Sequence, residues 1–210
     1  MEWIENERVL ILGGSRGLGA ALRQQLEAKS IQTFSISRRS EIRADFSRID
    51  SWAEVFRAIA DIAPRRIIYC AGGGPYGKFS KFEWKDHQWA LRVTFEFPAY
   101  LLHSLLRNPW LQLEQVIIIG SAVAGSRPDK NAAAYCAAKH ALKGLIFTLQ
   151  EEGTDFDLRL LSPGYMETDM LPPHSGPRQL GIANKPEPVA QLMIQSISDP
   201  ALRSHNQSFD

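Results

Sequence analysis

The glycines near the amino terminus have the spacing of a phosphate-binding turn. Gly13, Gly17 and Gly19 stand between an apolar run that predicts a strand and an amphipathic stretch that predicts a helix. A tight turn favours glycine at 13, a diphosphate can approach the backbone closely where position 17 has no Cβ, and close packing of helix on strand favours glycine at 19. Free N–H groups at the start of the helix attract anions. The segment predicts a dinucleotide site.

The same turn also fits the G-x-S-x-G nucleophile motif of serine hydrolases, which gives an alternative chemistry. In that motif Ser15 is the nucleophile, and the acid and base that follow in chain order are Asp155 or Asp169 and His174 or His205. A hydrolase of this kind needs an oxyanion loop from an earlier strand, yet only twelve residues precede the turn. The dinucleotide site is therefore the favoured interpretation.

Short apolar runs alternate with longer amphipathic stretches, and these elements must position the turn. The runs predicted as strands are 9–12, 31–36, 67–70, 116–119 and 158–161. The stretches predicted as helices are 18–28, 49–62, 84–106 and 132–150. Strands without a polar face are typical of a parallel sheet that helices cover on both sides. We expect an α/β fold with a doubly wound, Rossmann-like parallel sheet, with residues 1–210 as a single domain.

Three segments depart from this alternation. Only residues 38–41 separate the second strand from 42–45, whereas a parallel crossover needs about a dozen residues. We therefore expect a trimmed sheet edge near residues 38–45. Segment 172–188 holds five prolines and predicts an irregular excursion, and the tail 204–210 is predicted to form a last strand.

Composition excludes several classes of protein. The chain has 210 residues, 44% apolar, with a formal net charge of +1, which gives no electrostatic reason to expect a nucleic acid or membrane partner. The two cysteines form no CxxC motif, the five histidines show no metal spacing, the start is acidic, and no apolar run approaches the ~18 residues of a membrane span. We expect a cytoplasmic protein without a metal.

Four further segments follow the glycine turn in a fixed order. They are Asp45-Phe46, Cys70-Ala71-Gly72, Tyr135-Cys136-Ala137-Ala138-Lys139 and Pro163-Gly164-Tyr165-Met166-Glu167-Thr168. Together they resemble the short-chain dehydrogenase/reductase family, over about residues 9–190. The resemblance implies a small carbonyl or alcohol substrate, hydride transfer with a nicotinamide cofactor, and a homodimer or homotetramer that packs through the helix at 84–107 and the Tyr135 helix.

The resemblance also implies roles for individual residues. Tyr135 would exchange a proton with the substrate oxygen, and Lys139, one helical turn away, would hold the nicotinamide ribose and lower the pKa of the phenol from its usual value near ~10. The residues expected to bind the cofactor are Gly13, Ser15, Arg16, Gly17, Leu18, Gly19, Arg38, Asp45, Phe46, Cys70, Ala71, Gly72, Tyr135, Lys139, Pro163, Gly164, Met166 and Thr168.

Charge at the end of the second strand predicts which nicotinamide cofactor binds. An acid there holds the ribose hydroxyl of NAD, whereas arginine binds the 2′-phosphate of NADP. The strand ends Ser37-Arg38-Arg39 without an acid, and Arg16 lies in the glycine turn. Since a guanidinium binds phosphate in a bidentate manner, we expect NADP(H), with Arg38 and Arg16 on the phosphate.

Three positions depart from the family pattern at the site itself. Ala122 stands where the family has its catalytic serine, Thr94 replaces an asparagine, and Cys70 replaces the first residue of Asn-Ala-Gly. Ser121 is the replacement donor that we name, with Ser126 or a substrate hydroxyl as other options. Two accounts stay open: a working reductase with an atypical donor, or an NADPH-binding sensor that has lost hydride transfer. Segment 165–188 is the only candidate lid, and its shortness predicts an open pocket.

Overall fold

The computed structural model describes residues 2–108, 112–125 and 129–209. Its strands form one parallel seven-stranded sheet in the order β3-β2-β1-β4-β5-β6-β7. The strands are β1 (Arg8–Leu12), β2 (Gln32–Ser37), β3 (Ile42–Arg43), β4 (Arg66–Tyr69), β5 (Gln115–Ile119), β6 (Asp157–Pro163) and β7 (Gln207–Phe209). The strand order reverses between β1 and β4, which opens a crevice at the carboxyl ends of these two strands.

Helices cover both faces of this sheet, as the alternation in the sequence predicts. They are α1 (Gly17–Glu27), α2 (Trp52–Ile62), α3 (Trp84–Leu91), α4 (Phe97–Arg107), α5 (Ala133–Glu152), α6 (Gly176–Gln179) and α7 (Pro186–Ser198). One π-helical turn, Arg92–Glu96, joins α3 to α4. None of the helices in the described ranges is both long enough and apolar enough to cross a membrane.

Two apolar clusters lie on opposite faces of the sheet. Leu10 and Leu12 of β1 face the cluster that α2, α4 and α5 cover, whereas Val9 and Ile11 face the cluster that α1 and α7 cover. All four side chains are fully buried. Because successive side chains of a strand point to opposite faces, a run of four apolar residues contributes to both clusters. The doubly wound, single-domain fold is confirmed.

The trimmed sheet edge is also confirmed. Strand β3 has only two residues, and they pair in parallel with the last two residues of β2 (Ile36 with Ile42, Ser37 with Arg43). A connection of four residues is sufficient because β3 begins beside the carboxyl end of β2, so the chain never has to return along the strand. No helix lies between them.

The carboxyl-terminal part of the chain is more regular than the prolines suggest. Helix α7 begins at Pro186, with Pro188 still in its first turn, where a missing backbone N–H breaks no helical hydrogen bond. Both prolines lie in the segment that was predicted to be irregular, so this helix was not predicted from the sequence. The predicted last strand is confirmed as β7, which pairs in parallel with β6.

Candidate active site

A cleft of about 570 Å³ opens at the carboxyl ends of the strands, across the point where the strand order reverses. It gathers all of the predicted cofactor-binding residues and the predicted catalytic residues Ser121, Tyr135 and Lys139. The nineteen are Gly13, Ser15, Arg16, Gly17, Leu18, Gly19, Arg38, Asp45, Phe46, Cys70, Ala71, Gly72, Ser121, Tyr135, Lys139, Pro163, Gly164, Met166 and Thr168. The cleft is thus one continuous groove between the glycine turn and the Tyr135 helix.

The glycine turn is shaped for a close approach from the cleft. Gly13 and Gly17 have left-handed backbones, with φ of +96° and +55°, and a Cβ on Gly19 would lie 2.3 Å from the carbonyl oxygen of Gly13. Helix α1 starts at Gly17 with its amino end at the cleft, and no side chain of the described residues caps that end. Its first N–H groups are therefore available to an anion, and the turn fits a diphosphate.

Basic side chains line the cleft near the end of β2. The guanidinium of Arg38 lies 6.0 Å from the centroid of the Trp89 ring, and Arg39 is a further lining residue. Arg16 contacts the carboxylate of Asp169 at 3.4 Å, which joins the glycine turn to the start of the candidate lid. Both partners of that pair are exposed, so the contact adds little stability. The lid segment therefore already reaches across the cleft.

Asp45 and Phe46 lie at the same end of the cleft. The Asp45 carboxylate accepts hydrogen bonds from the backbone and the hydroxyl of Ser47. The Phe46 ring packs in the core against Phe97, with ring centroids 4.6 Å apart, and its carbonyl accepts a bond from the Trp52 indole. Phe46 is therefore held mainly by the core, although it also lines the cleft.

Tyr135 and Lys139 lie on the cleft side of α5. The Lys139 Nζ donates to the carbonyl oxygen of Ile119 at 2.5 Å and lies 5.5 Å from the centroid of the Tyr135 ring. Burial lowers the pKa of Lys139 to about 8, while the neighbouring Cys70 acts in the opposite direction. Burial raises the pKa of Tyr135 to about 12, partly offset by a hydrogen bond with Ser121.

The expected effect of Lys139 on the Tyr135 phenol is therefore wrong for the free chain. We expected the ammonium to lower the pKa of the phenol, but the surrounding protein excludes water from both groups and raises that pKa instead. Lys139 directs its ammonium group to the Ile119 carbonyl. At neutral pH the phenol keeps its proton and can serve as an acid.

Ser121, and not Ala122, faces Tyr135. Strand β5 ends at Ile119, Ser121 is still extended, and a single helical turn then begins at Ala122. Ser121 lines the cleft together with Tyr135 and lies near enough to lower the pKa of the phenol, whereas Ala122 lines only a second cleft, which Ser121 also borders. Ser126, another predicted donor, lies outside the described residues.

Thr94 fixes the loop that follows β4. Its hydroxyl accepts a bond from the Gly73 N–H and donates one to the Gly73 carbonyl, each at 3.1 Å. Thr94 lies in the π-helical turn, in which the Val93 carbonyl accepts a 2.5 Å bond from the buried Tyr69 phenol. The turn and the loop are thus tied together beside Lys139, whose Nζ would lie 3.7 Å from a Cβ on Gly72.

Comparison with known proteins identifies the family. Residues 42–177 match the family model for short chain dehydrogenase, which is more than half of the chain. The chain belongs to the short-chain dehydrogenase/reductase family.

Two curated relatives of this family member are named as reductases. It is 24% identical over 203 residues to a PIGF/3-ketodihydrosphingosine reductase fusion protein of Schizosaccharomyces pombe, covering 80% of this chain but only 41% of that protein. It is 28% identical over 178 residues to the 3-oxoacyl-(acyl-carrier-protein) reductase MabA of Mycobacterium bovis, covering 77% of this chain and 70% of that protein.

A solved structure shows the same fold. The crystal structure of BdcA in complex with NADPH superposes with a TM-score of 0.82 at 22% identity, covering 99% of this chain and 94% of that one. This likeness establishes the short-chain dehydrogenase/reductase fold for nearly the whole chain.

The hydrolase alternative has no support in this family member. Ser15 lines the cleft, but none of the described residues that line it is a histidine. His205 hydrogen-bonds the Arg203 carbonyl, and Asp169 contacts Arg16. Ser15 therefore has no base to activate it.

Part of the cleft wall was not predicted from the sequence. Trp89 and Met170 cover the loop at Gly73, and Asp129 and Tyr165 line the cleft beside Tyr76. Asp129 lies six residues before Tyr135, in the loop that leads into α5. This closeness in sequence to Tyr135 is the feature from which a place for Asp129 in the cleft wall could have been predicted.

Proposed function

We propose that the chain is an NADP(H)-dependent oxidoreductase that interconverts a carbonyl and an alcohol. The proposal rests on one observation: a single cleft is lined at one end by Ser121, Tyr135 and Lys139 and at the other end by the glycine turn. When bound, NADPH supplies the hydride that becomes attached to the carbonyl carbon.

The chain itself supplies the proton and the oxygen contacts. Tyr135 stays protonated at neutral pH because its pKa is raised to about 12, so it is suited to donate its proton to the carbonyl oxygen as negative charge develops there. Ser121 donates a hydrogen bond to the same oxygen and keeps it within reach of the phenol. Lys139, fixed by the Ile119 carbonyl, holds the ribose side of the site.

The choice of NADP(H) over NAD(H) rests on charge. Arg16, Arg38 and Arg39 line the cleft around the end of β2, and no described acid follows that strand directly. Guanidinium groups there favour a 2′-phosphate over a free hydroxyl. The BdcA complex, whose cofactor is NADPH, supports this choice. The cytoplasmic location and the homodimer or homotetramer stay predictions.

A second candidate is an NADPH-binding sensor without hydride transfer. The observation in its favour is Ala122, which removes the family's serine from its usual position. The position of Ser121 beside Tyr135 on the cleft wall favours the reductase, since a sensor has no use for a donor at that point.

The test is oxidation of NADPH, followed by absorbance, with simple ketones and 3-oxoacyl thioesters, for the parent and Tyr135→Phe. The reductase account predicts turnover by the parent and a loss of at least about 10²-fold in the variant, with NADPH still bound by both. Equal rates for parent and variant on every compound, or NADH bound more tightly than NADPH, would contradict the corresponding part of the proposal.

A further inference from the structure

The cleft continues past Tyr135 to the carboxylate of Asp129, beside which two tyrosines lie. The Tyr165 hydroxyl donates to Asp129 Oδ2 at 3.3 Å. Burial raises the pKa of the Tyr76 phenol, and the nearby Asp129 carboxylate raises it further. Tyr76 and Tyr135 pack on one small apolar cluster formed by Val123, Ala132 and Cys136. Asp129 and its two tyrosines therefore lie beside the reactive phenol, at the substrate end of the cleft.

Backbone hydrogen bonds fix Asp129 in this position. The N–H of Asn131 donates to Asp129 Oδ1 at 2.9 Å, and the N–H of Ala132 donates to the Asp129 carbonyl at 3.1 Å. The Asn131 carbonyl in turn accepts a 2.7 Å bond from the N–H of Gly77, which joins this turn to the loop that carries Tyr76. The carboxylate is thus part of a rigid wall.

Asp129 and Tyr165 present acceptor atoms to the cleft. A phenol has a single O–H, and Tyr165 directs its own at Asp129, so the Tyr165 oxygen offers only lone pairs to a ligand. A carboxylate has about four acceptor positions, and the contacts named here use two of them. A ligand group that satisfies these two side chains must donate hydrogen bonds.

The distribution of charged side chains along the cleft also favours a ligand that donates hydrogen bonds. The arginines that line the described cleft, Arg16, Arg38 and Arg39, lie at the glycine turn and the end of β2. Lys139 is buried and donates to the Ile119 carbonyl. Lys130, next to Asp129 in sequence, is exposed and is not part of the cleft wall. Among the described residues, Asp129 is therefore the charged group beside Tyr135 and Tyr76, while Arg127, two residues before it in sequence, lies outside the described part of the chain.

We propose that the substrate carries a protonated amine, which donates hydrogen bonds to Asp129 and to the oxygen of Tyr165 while the carbonyl lies against Tyr135. The inference rests on the proposed function. Hydride passes from NADPH to the carbonyl carbon and the Tyr135 proton passes to the oxygen, which gives an amino alcohol and NADP⁺ and leaves the ammonium group unchanged. Substrates with a carboxylate or phosphate at this position are disfavoured, since they would meet a like charge.

The test compares methyl ketones that differ only in a terminal ammonium, hydroxyl or carboxylate group, with one to four methylenes between that group and the carbonyl. For each, kcat/KM is measured with NADPH. The corresponding amino and carboxy alcohols are titrated calorimetrically into the protein saturated with NADPH. Asp129→Asn removes the charge at constant size. Asp169→Asn is the matched control, because Asp169 lines the same cleft but pairs with Arg16.

At the best chain length, the parent and Asp169→Asn are expected to prefer the ammonium compound to the carboxylate by about tenfold or more, and Asp129→Asn is expected to lose most of that preference. Equal or reversed preference in the parent overturns the inference even if the variant does not fold, and so does an unchanged preference in a folded Asp129→Asn. Turnover without ammonium preference leaves the proposed function standing and this inference wrong. Ammonium-selective binding without any turnover would support this inference and contradict the proposed function.

Discussion

At the scale of single residues, the Ser121 hydroxyl is the donor that the reaction depends on. Ser121→Ala is expected to lower kcat by about 10²–10³-fold with little change in the Kd for NADPH, because the substrate oxygen loses a fixed donor while the cofactor contacts remain. Ala122→Ser is the control: Ala122 is not among the residues that line the cofactor cleft, so the rate should stay within about twofold of the parent. Steady-state kinetics would contradict this if Ser121→Ala were as fast as the parent.

Lys139 makes the stability of the fold depend on pH. Burial lowers its pKa from 10.5 to about 8, so between these values the unfolded chain binds more protons and a rise in pH stabilises the folded state. From pH 7 to about pH 9.5 the parent should gain about 2 kcal/mol of unfolding free energy relative to Lys139→Met. Urea denaturation at the two pH values measures the difference, and the same pH dependence in both proteins would refute it.

The residue types at the site were predictable, but their exact environment was not. The glycine turn, Tyr135 and Lys139 follow from spacing and from the family resemblance, and they do line one cleft. Whether Ser121 or Ala122 faces Tyr135 depends on where β5 ends, because the alternation of side chains stops there. The pKa of Tyr135 depends on how much water the fold excludes, which no local sequence pattern encodes.

At the scale of elements, the π-helical turn holds the loop after β4 through Thr94. Thr94→Val keeps the shape of the side chain but removes both bonds to Gly73, and is expected to cost about 1–3 kcal/mol of unfolding free energy and to weaken NADPH binding. Thr148→Val is the matched control, because that hydroxyl bonds the Gly144 carbonyl on an exposed part of α5. Chemical denaturation and cofactor titration check both variants. Equal losses in the two would show that Thr94 has no special role.

The elements differ in how far the sequence predicts them. Strands β1, β4 and β5 were predictable because continuous apolar runs identify strands that are buried on both faces. The π-helical turn within the long helix was not predictable from local sequence. It depends on a hydrogen bond that the Val93 carbonyl accepts from Tyr69, which lies on a strand far away in sequence. Helix α7 was missed because prolines at its start were counted as breakers, although the first turn tolerates them.

At the scale of the whole molecule, a buried polar network ties α7 and the carboxyl-terminal segment to the sheet. Asp157 in β6 accepts bonds from Gln115, Arg159 and the N–H of Ser204, and Arg159 also donates to the Ser196 carbonyl at the end of α7. Burial opposes ionisation of Asp157, but these donors hold its pKa below the usual range. The network lies at the amino end of the sheet, opposite the cleft.

Asp157→Asn is therefore expected to cost about 3–5 kcal/mol of unfolding free energy at neutral pH, because Arg159 is left buried without its charge partner. The contribution of Asp157 is present above its unfolded pKa and is lost as pH falls through the lower folded value, so parent and variant should converge in acid. Asp50→Asn, which breaks an exposed pair with Arg48, should cost far less, because water solvates and screens both of these charges. Similar costs for the two variants in urea denaturation would contradict this role.

The central claim is that the cleft transfers hydride from NADPH to a carbonyl carbon. The direct measurement uses NADPH that carries deuterium at the transferred position of the nicotinamide, with the parent, Tyr135→Phe and a ketone that supports turnover, and mass spectrometry of the alcohol. The account predicts one deuterium on the carbinol carbon of the parent's product, and product formation that falls at least about 10²-fold in Tyr135→Phe. Consumption of NADPH without deuterated alcohol, or equal product from both proteins, would contradict it.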